Sequence, residues 1–121
     1  ARYMMAHGGG RIINIASVAG IQGTRGIIGY SVAKAGLIEM TKCMSNELLP
    51  HGIMVNAVAP GFIDTEMQTL TGEHKEAMLG RIPAGRLGTP EEVAEAVRWL
   101  ASDACYVSGT TIIVDGGWLA R

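Results

Sequence analysis

At 121 residues, 48% of them hydrophobic and 17% charged, the chain has enough apolar surface for one modest core and too little charge for a disordered segment. A net charge of −1 with no clustered basic stripe argues against nucleic acid as a partner. No apolar run approaches the roughly 20 residues that cross a bilayer, and no apolar leader opens the chain, so a cytoplasmic protein without membrane contact is expected.

The first seven residues read as the tail of a helix (Arg2, Tyr3, Met4, Met5) stopped by Gly8-Gly9-Gly10. That glycine run precedes a strand, the wrong side for a phosphate-cradling turn, which must open a helix. Arg11 to Ala16 is nearly continuous in apolar residues apart from Asn14, the pattern of a strand buried on both faces. Gly20, Gly23, Gly26 and Gly29 then make a loop. A helix is predicted from about Tyr30 to Leu49, with Ala33, Leu37, Met40, Met44 and Leu48 at helical spacing. Ala35 and Gly36 stand where a second backbone can approach closely, and Pro50-His51-Gly52 ends the helix.

Ile53 to Ala59 is a second apolar strand with Asn56 inside it, followed by Pro60-Gly61-Phe62-Ile63-Asp64-Thr65 at its C-terminal end, where α/β sheets hold ligands. Glu66 to Arg81 is polar with short helical pieces, and His74 within it reads as a solvated helix residue. Thr89-Pro90-Glu91-Glu92 is a helix start, with Thr89 as N-cap, Pro90 at the first position and Glu92 completing a capping box. Val93, Ala96, Val97 and Leu100 form its buried face, with Trp99 beside it. Thr110 to Val114 is the last strand, and Asp115-Gly116-Gly117 follows with no chemistry assigned. Strand–helix–strand–helix–strand implies an α/β fold of three parallel strands with covering helices. Cys43 and Cys105 lack metal-ligand spacing, so reduced thiols and no metal are expected, a disulfide between them being the alternative.

The residues that carry chemistry lie on that frame in a definite order. Ser17 ends the first strand, and thirteen residues later the helix opens with Tyr30 and Lys34, spaced i, i+4 on one face. A hydroxyl can hold a carbonyl oxygen, a phenol can pass it a proton, and a nearby ammonium favours an ionised phenol. Singly these have ordinary readings: a turn serine and a surface Tyr–Lys pair. Together they resemble the short-chain dehydrogenase/reductase family, whose Ser and Tyr-x-x-x-Lys match Ser17, Tyr30 and Lys34. The turn after the second strand resembles the family's P-G-x-x-x-T segment.

That resemblance implies an oxidoreductase interconverting an alcohol and a ketone with NAD or NADP. Ser17, Tyr30 and Lys34 would be catalytic, and Tyr30, Lys34, Pro60, Gly61, Ile63 and Thr65 would bind the cofactor. The loop after Ser17 would border a small-molecule substrate, and Glu66 to Arg81 would cover it. The helix from Tyr30 would pack against its copy in a homo-oligomer, a dimer or tetramer; burial of the same small-residue face within the monomer is the alternative. Residues 1–121 would form the C-terminal half of a doubly wound, Rossmann-type parallel sheet, a partial NAD(P)-binding domain without its N-terminal dinucleotide-binding half. The strand edge at Arg11 to Ala16 would then lack its neighbour and invite association. Two functions stay open: an oxidoreductase, weak or inactive as this segment alone, or a non-catalytic half-domain acting through assembly. The substrate stays open between the 3-oxoacyl-[acyl-carrier-protein] type and sugar acids or polyols, since Ile21, Gln22 and Thr24 do not decide it.

Overall fold

The computed structural model of the chain describes residues 1–65 and 72–120. Its centre is β2 (Ile53–Pro60), which pairs in parallel with β1 (Gly10–Ile15) on one side and β3 (Thr111–Val114) on the other. The register sets Gly10 against Ile53 and Ile15 against Val58, then Ala57 against Thr111 and Pro60 against Val114. Side chains alternate across the central strand. Ile53, Val55, Ala57 and Ala59 pack towards α2 (Ile28–Leu48), while Val58 packs with Leu100 and Ala104 at α4 (Pro90–Ser102). Ile53, Val55 and Val58 are fully buried, and each contributes about 2 kcal/mol relative to exposure. Two shorter helices complete the order, α1 (Arg2–Ala6) and α3 (Gly72–Leu79).

Two expectations shift. β1 is half-buried rather than buried on both faces, with Ile15 46% exposed, because β1 is an edge of the sheet with no strand beyond it among the described residues. On α2, Leu37, Met44 and Leu48 turn inward as expected, but Ala33 and Met40 turn outward. The buried positions are instead Thr41 and Ser45. Their hydroxyls are satisfied: Thr41 accepts from Asn14 Nδ2 at 2.9 Å and donates to the Leu37 carbonyl, and Ser45 shares a hydrogen bond with Ser108. A hydroxyl bonded locally costs little to bury, so apolar spacing alone misplaced this face by one residue at Met40 and passed over Ser45 beside Met44.

The asparagines inside the strands are also partnered. Asn56, 2% exposed, donates to the Val107 carbonyl and accepts the Thr110 N–H, clamping the turn that leads into β3. At α4 the capping box forms, Thr89 Oγ1 accepting the Glu92 N–H and Glu92 Oε2 accepting the Thr89 N–H. The other end of α4 is held by Arg11 of β1, whose guanidinium donates to the Leu100 and Ala104 carbonyls. The first is among the last carbonyls of α4, which a helix end leaves without intrahelical partners, and the second belongs to the turn just beyond it. Cys43 and Cys105 are free and exposed. No helix among the described residues is long and apolar enough to cross a membrane. The helical piece expected at 66–70 and the side chain of His74 lie outside the described residues.

Candidate active site

Ser17 stands two residues after the end of β1, with extended backbone, and its Oγ accepts the Ala19 N–H at 3.2 Å. This caps a short 3-10 turn, Val18–Gly20, and holds Ser17 buried at the mouth of the sheet. Gly20 seats that turn on α2: a Cβ there would lie 2.6 Å from the Lys34 carbonyl carbon and 2.7 Å from the Ala35 nitrogen. Only glycine permits so close an approach of two backbones.

Lys34 is tied to the same junction from the helix side. Its Nζ donates to the Ile15 carbonyl at 2.7 Å and stands 5.6 Å from the centroid of the Tyr30 ring. Strand end, 3-10 turn and first turns of α2 are thus one packed unit. Ser17 and Tyr30 line one cavity of about 330 Å³, with Thr24, Ile27, Gly61, Phe62 and Trp118 among the other walls.

The remaining expected binding residues divide. Pro60 ends β2, and Gly61 enters the cavity wall, its N–H donating to the Val114 carbonyl at 2.9 Å. A Cβ on Gly61 would meet Asp115 Cα at 2.8 Å, so this glycine lets the turn pass beside β3. Ile63 lies elsewhere, lining a second cavity with Arg86, Gly88 and Glu92. Thr65 is exposed at the end of the described loop.

Sequence reasoning missed Trp118. Its indole N–H donates to Gln22 Oε1 at 2.9 Å, and its ring meets Phe62 edge-on at 4.7 Å between centroids. The Asp115-Gly116-Gly117 turn places it: the Asp115 carboxylate accepts the Gly117 and Leu119 N–H groups at 2.8 and 2.9 Å. Two glycines at positive φ turn the chain back there. An aspartate and two glycines just before an aromatic residue were the available signal.

The turn carrying Ile63 is braced from α4. Gly88 N–H donates to the Phe62 carbonyl, and Asp64 N–H donates to the Gly88 carbonyl. Gly88 is fixed by its neighbours on both sides, since Arg86 pairs bidentately with Glu92 at 2.6 and 2.9 Å while Glu92 also accepts the Thr89 N–H. The Arg86 guanidinium, with the Thr89 amide second, holds the Glu92 carboxyl down to about 2. A depressed carboxyl contributes stability above its unfolded value and loses it as pH falls through the folded value. The brace should therefore stand at neutral pH and release between pH about 4 and about 2. In NMR titration the Gly88 amide signal should move over that window and stay flat in Glu92→Gln. Movement centred near neutrality would show that Glu92 does not govern the turn.

With this geometry established, comparison with known proteins is direct. Residues 1–119 match the family model described as enoyl-(acyl carrier protein) reductase. The 3-oxoacyl-[acyl-carrier-protein] reductase of Vibrio cholerae is 50% identical over 118 residues, 96% of this chain and 48% of that protein. The corresponding reductase of Rickettsia felis is 52% identical over 118 residues, 96% of this chain and 49% of that protein. In structure, a gluconate 5-dehydrogenase from Burkholderia cenocepacia, solved with NADP and tartrate, superposes with a TM-score of 0.95 at 35% identity, covering 99% of this chain and 49% of that one. The chain spans about half the length of the curated relatives it matches. A family match across nearly its whole length, and relatives at half identity, place the chain in the short-chain dehydrogenase/reductase family.

Proposed function

We propose that the chain carries the reducing centre of an NAD(P)-dependent oxidoreductase that interconverts a ketone and a secondary alcohol. The observation that carries this reading is one cavity shared by Ser17 and Tyr30, with Lys34 anchored beside the Tyr30 ring. The residues suit a nicotinamide. The cavity is walled mainly by apolar and aromatic groups, with a few polar ones from Ser17, Thr24 and Tyr30, and its volume falls in the range of small-molecule sites. The NADP held by the Burkholderia cenocepacia neighbour supports the same assignment.

A bound nicotinamide supplies or accepts the hydride. The chain's own residues act on the oxygen. Ser17 Oγ donates a hydrogen bond to it, and the Tyr30 phenol gives it a proton in reduction or takes one in oxidation. Lys34 keeps one N–H on the Ile15 carbonyl, which fixes its charge beside Tyr30 and leaves two donors for ribose hydroxyls. Gly61, in the wall of the same cavity, would meet the carboxamide. The contacts to pyrophosphate and adenine come from outside these residues, so residues 1–121 alone should turn over weakly.

The test is nicotinamide oxidation with a panel of ketones, by residues 1–121 alone and by the same residues fused behind the N-terminal half of the Vibrio cholerae reductase. Ketone-dependent turnover is expected in the fusion. Its absence in a folded fusion that binds NADPH would sink the reading and leave assembly as the function.

A homodimer is proposed through the outer face of α2. Ile28 and Val32 are 77% and 66% exposed there, and nothing lies within 4 Å of where a Gly36 Cβ would stand. An apolar face with small residues admits a second helix at close range. Val32→Asp should convert dimer to monomer in analytical ultracentrifugation; a dimer unchanged by it would place the contact elsewhere.

A further inference from the structure

Beyond the cavity that holds Ser17 and Tyr30, a second opening of about 410 Å³ continues over Thr24, Phe62 and Trp118, which line both. Its rim is cationic. Arg25 reaches it from the loop after β1, and Arg81 from the turn after α3. Neither has a carboxylate partner among the described residues, where the ion pairs are Lys42–Glu39, Arg86–Glu92 and Arg98–Asp103. No aspartate or glutamate lines either opening among those residues.

Arg81 is also held in place. Its guanidinium carbon sits 5.0 Å from the centroid of the Trp118 ring, and Trp118 is itself held by Gln22 and Phe62. A cation held over an aromatic face keeps its place without using its five N–H donors. Two guanidiniums with open donors, one held in place over Trp118, match the flat fork of a carboxylate. A long apolar chain laid across the same rim would strip water from both cations and return no partner, which costs free energy.

We propose that this opening receives the carboxylate of the substrate, so that Arg81 and Arg25 determine specificity for a hydroxy or keto acid whose reacting carbon lies at Ser17 and Tyr30. The inference rests on the reading of that cavity as the reducing centre, and it names the substrate class. It also separates the two possibilities that the sequence left open, because the loop residues Gln22 and Thr24 are neutral while the arginines flanking them in space are not.

The test compares D-gluconate with D-glucitol, the same carbon skeleton with a hydroxymethyl group in place of the carboxylate, binding to the 121-residue chain. The indole N–H signal of Trp118 reports on the opening, and Trp99 on α4 serves as an internal control. Gluconate should shift the Trp118 signal saturably and glucitol should not. Arg81→Gln and Arg25→Gln should each weaken gluconate about tenfold, and Arg81→Lys should fall between, keeping the charge but losing the fork. Both side chains are exposed, so the variants should fold, and circular dichroism checks that they do.

Equal response to the two compounds, no saturable response to gluconate, or a response to acetoacetyl-CoA but not to gluconate would overturn the proposal. In the fusion, turnover of carboxylate-bearing ketones that survives both arginine variants unchanged would overturn it while leaving the oxidoreductase reading intact. Arginine-dependent gluconate binding without any hydride transfer would sustain the anion site and remove the oxidoreductase reading.

Discussion

Tyr30→Phe should lower kcat in the fused protein by about 10²–10⁴-fold, the span that a positioned proton donor supplies, while NADPH still binds within about twofold of the parent. That loss corresponds to roughly 3–5 kcal/mol in the barrier. The variant keeps the ring, its place 5.6 Å from Lys34 Nζ and its share of the cavity wall, and removes only the hydroxyl. Stability should therefore hardly change, since Tyr30 is 49% exposed and no hydrogen bond of its hydroxyl supports the fold among the described residues. Steady-state kinetics with cofactor binding measured separately decides the matter. A variant that retains most of kcat would mean that the proton comes from another group and that the Tyr30–Lys34 spacing is an ordinary helix pair.

Gly20→Ala should damage both the fold and the site with a single methyl. Its Cβ would stand 2.6, 2.7 and 2.8 Å from backbone atoms of Lys34 and Ala35, which cannot rotate away as a side chain can. Overpacking of this kind costs about 1–3 kcal/mol, and the upper end applies where both contacting surfaces are backbone. The damage should not stop at stability. The 3-10 turn and α2 must separate, which moves Ser17 away from Tyr30 and strains the Lys34 bond to the Ile15 carbonyl. Urea unfolding should show the loss, and the fusion should lose kcat as well. Gly29→Ala is the control: it lies in the first turn of α2 with nothing within 4 Å of its Cβ, and should be neutral or stabilising by about 0.5 kcal/mol. Equal stability of the two variants would show that the turn is not seated on the helix as described.

The order of elements was legible because each signal is local. Short continuous apolar runs, the 3.6-residue period, the Thr89 capping box and the Pro60-Gly61 turn depend on residues within a few positions of one another, and the corresponding elements appear in the structure. The pairing of Ser17 with Tyr30 was legible for a related reason: strand, turn and helix leave few ways to place two groups thirteen residues apart, and both enter one cavity.

What lay beyond the sequence were contacts between segments distant along it. Gln22, Phe62, Arg81 and Trp118 meet across 96 residues, and no periodicity records that. Arg11 looked like the start of an apolar run, yet its guanidinium closes the end of α4. Thr41 and Ser45 were passed over on the buried face of α2 because they are polar by type, and their hydroxyls are satisfied by partners on α2, on β1 and before β3. The sequence by itself determined which elements form and in what order the reacting groups arrive, since hydrogen bonding and hydrophobic period act over single turns. Only the tertiary structure decided which charges surround the site, because an arginine's role depends on what the fold sets beside it.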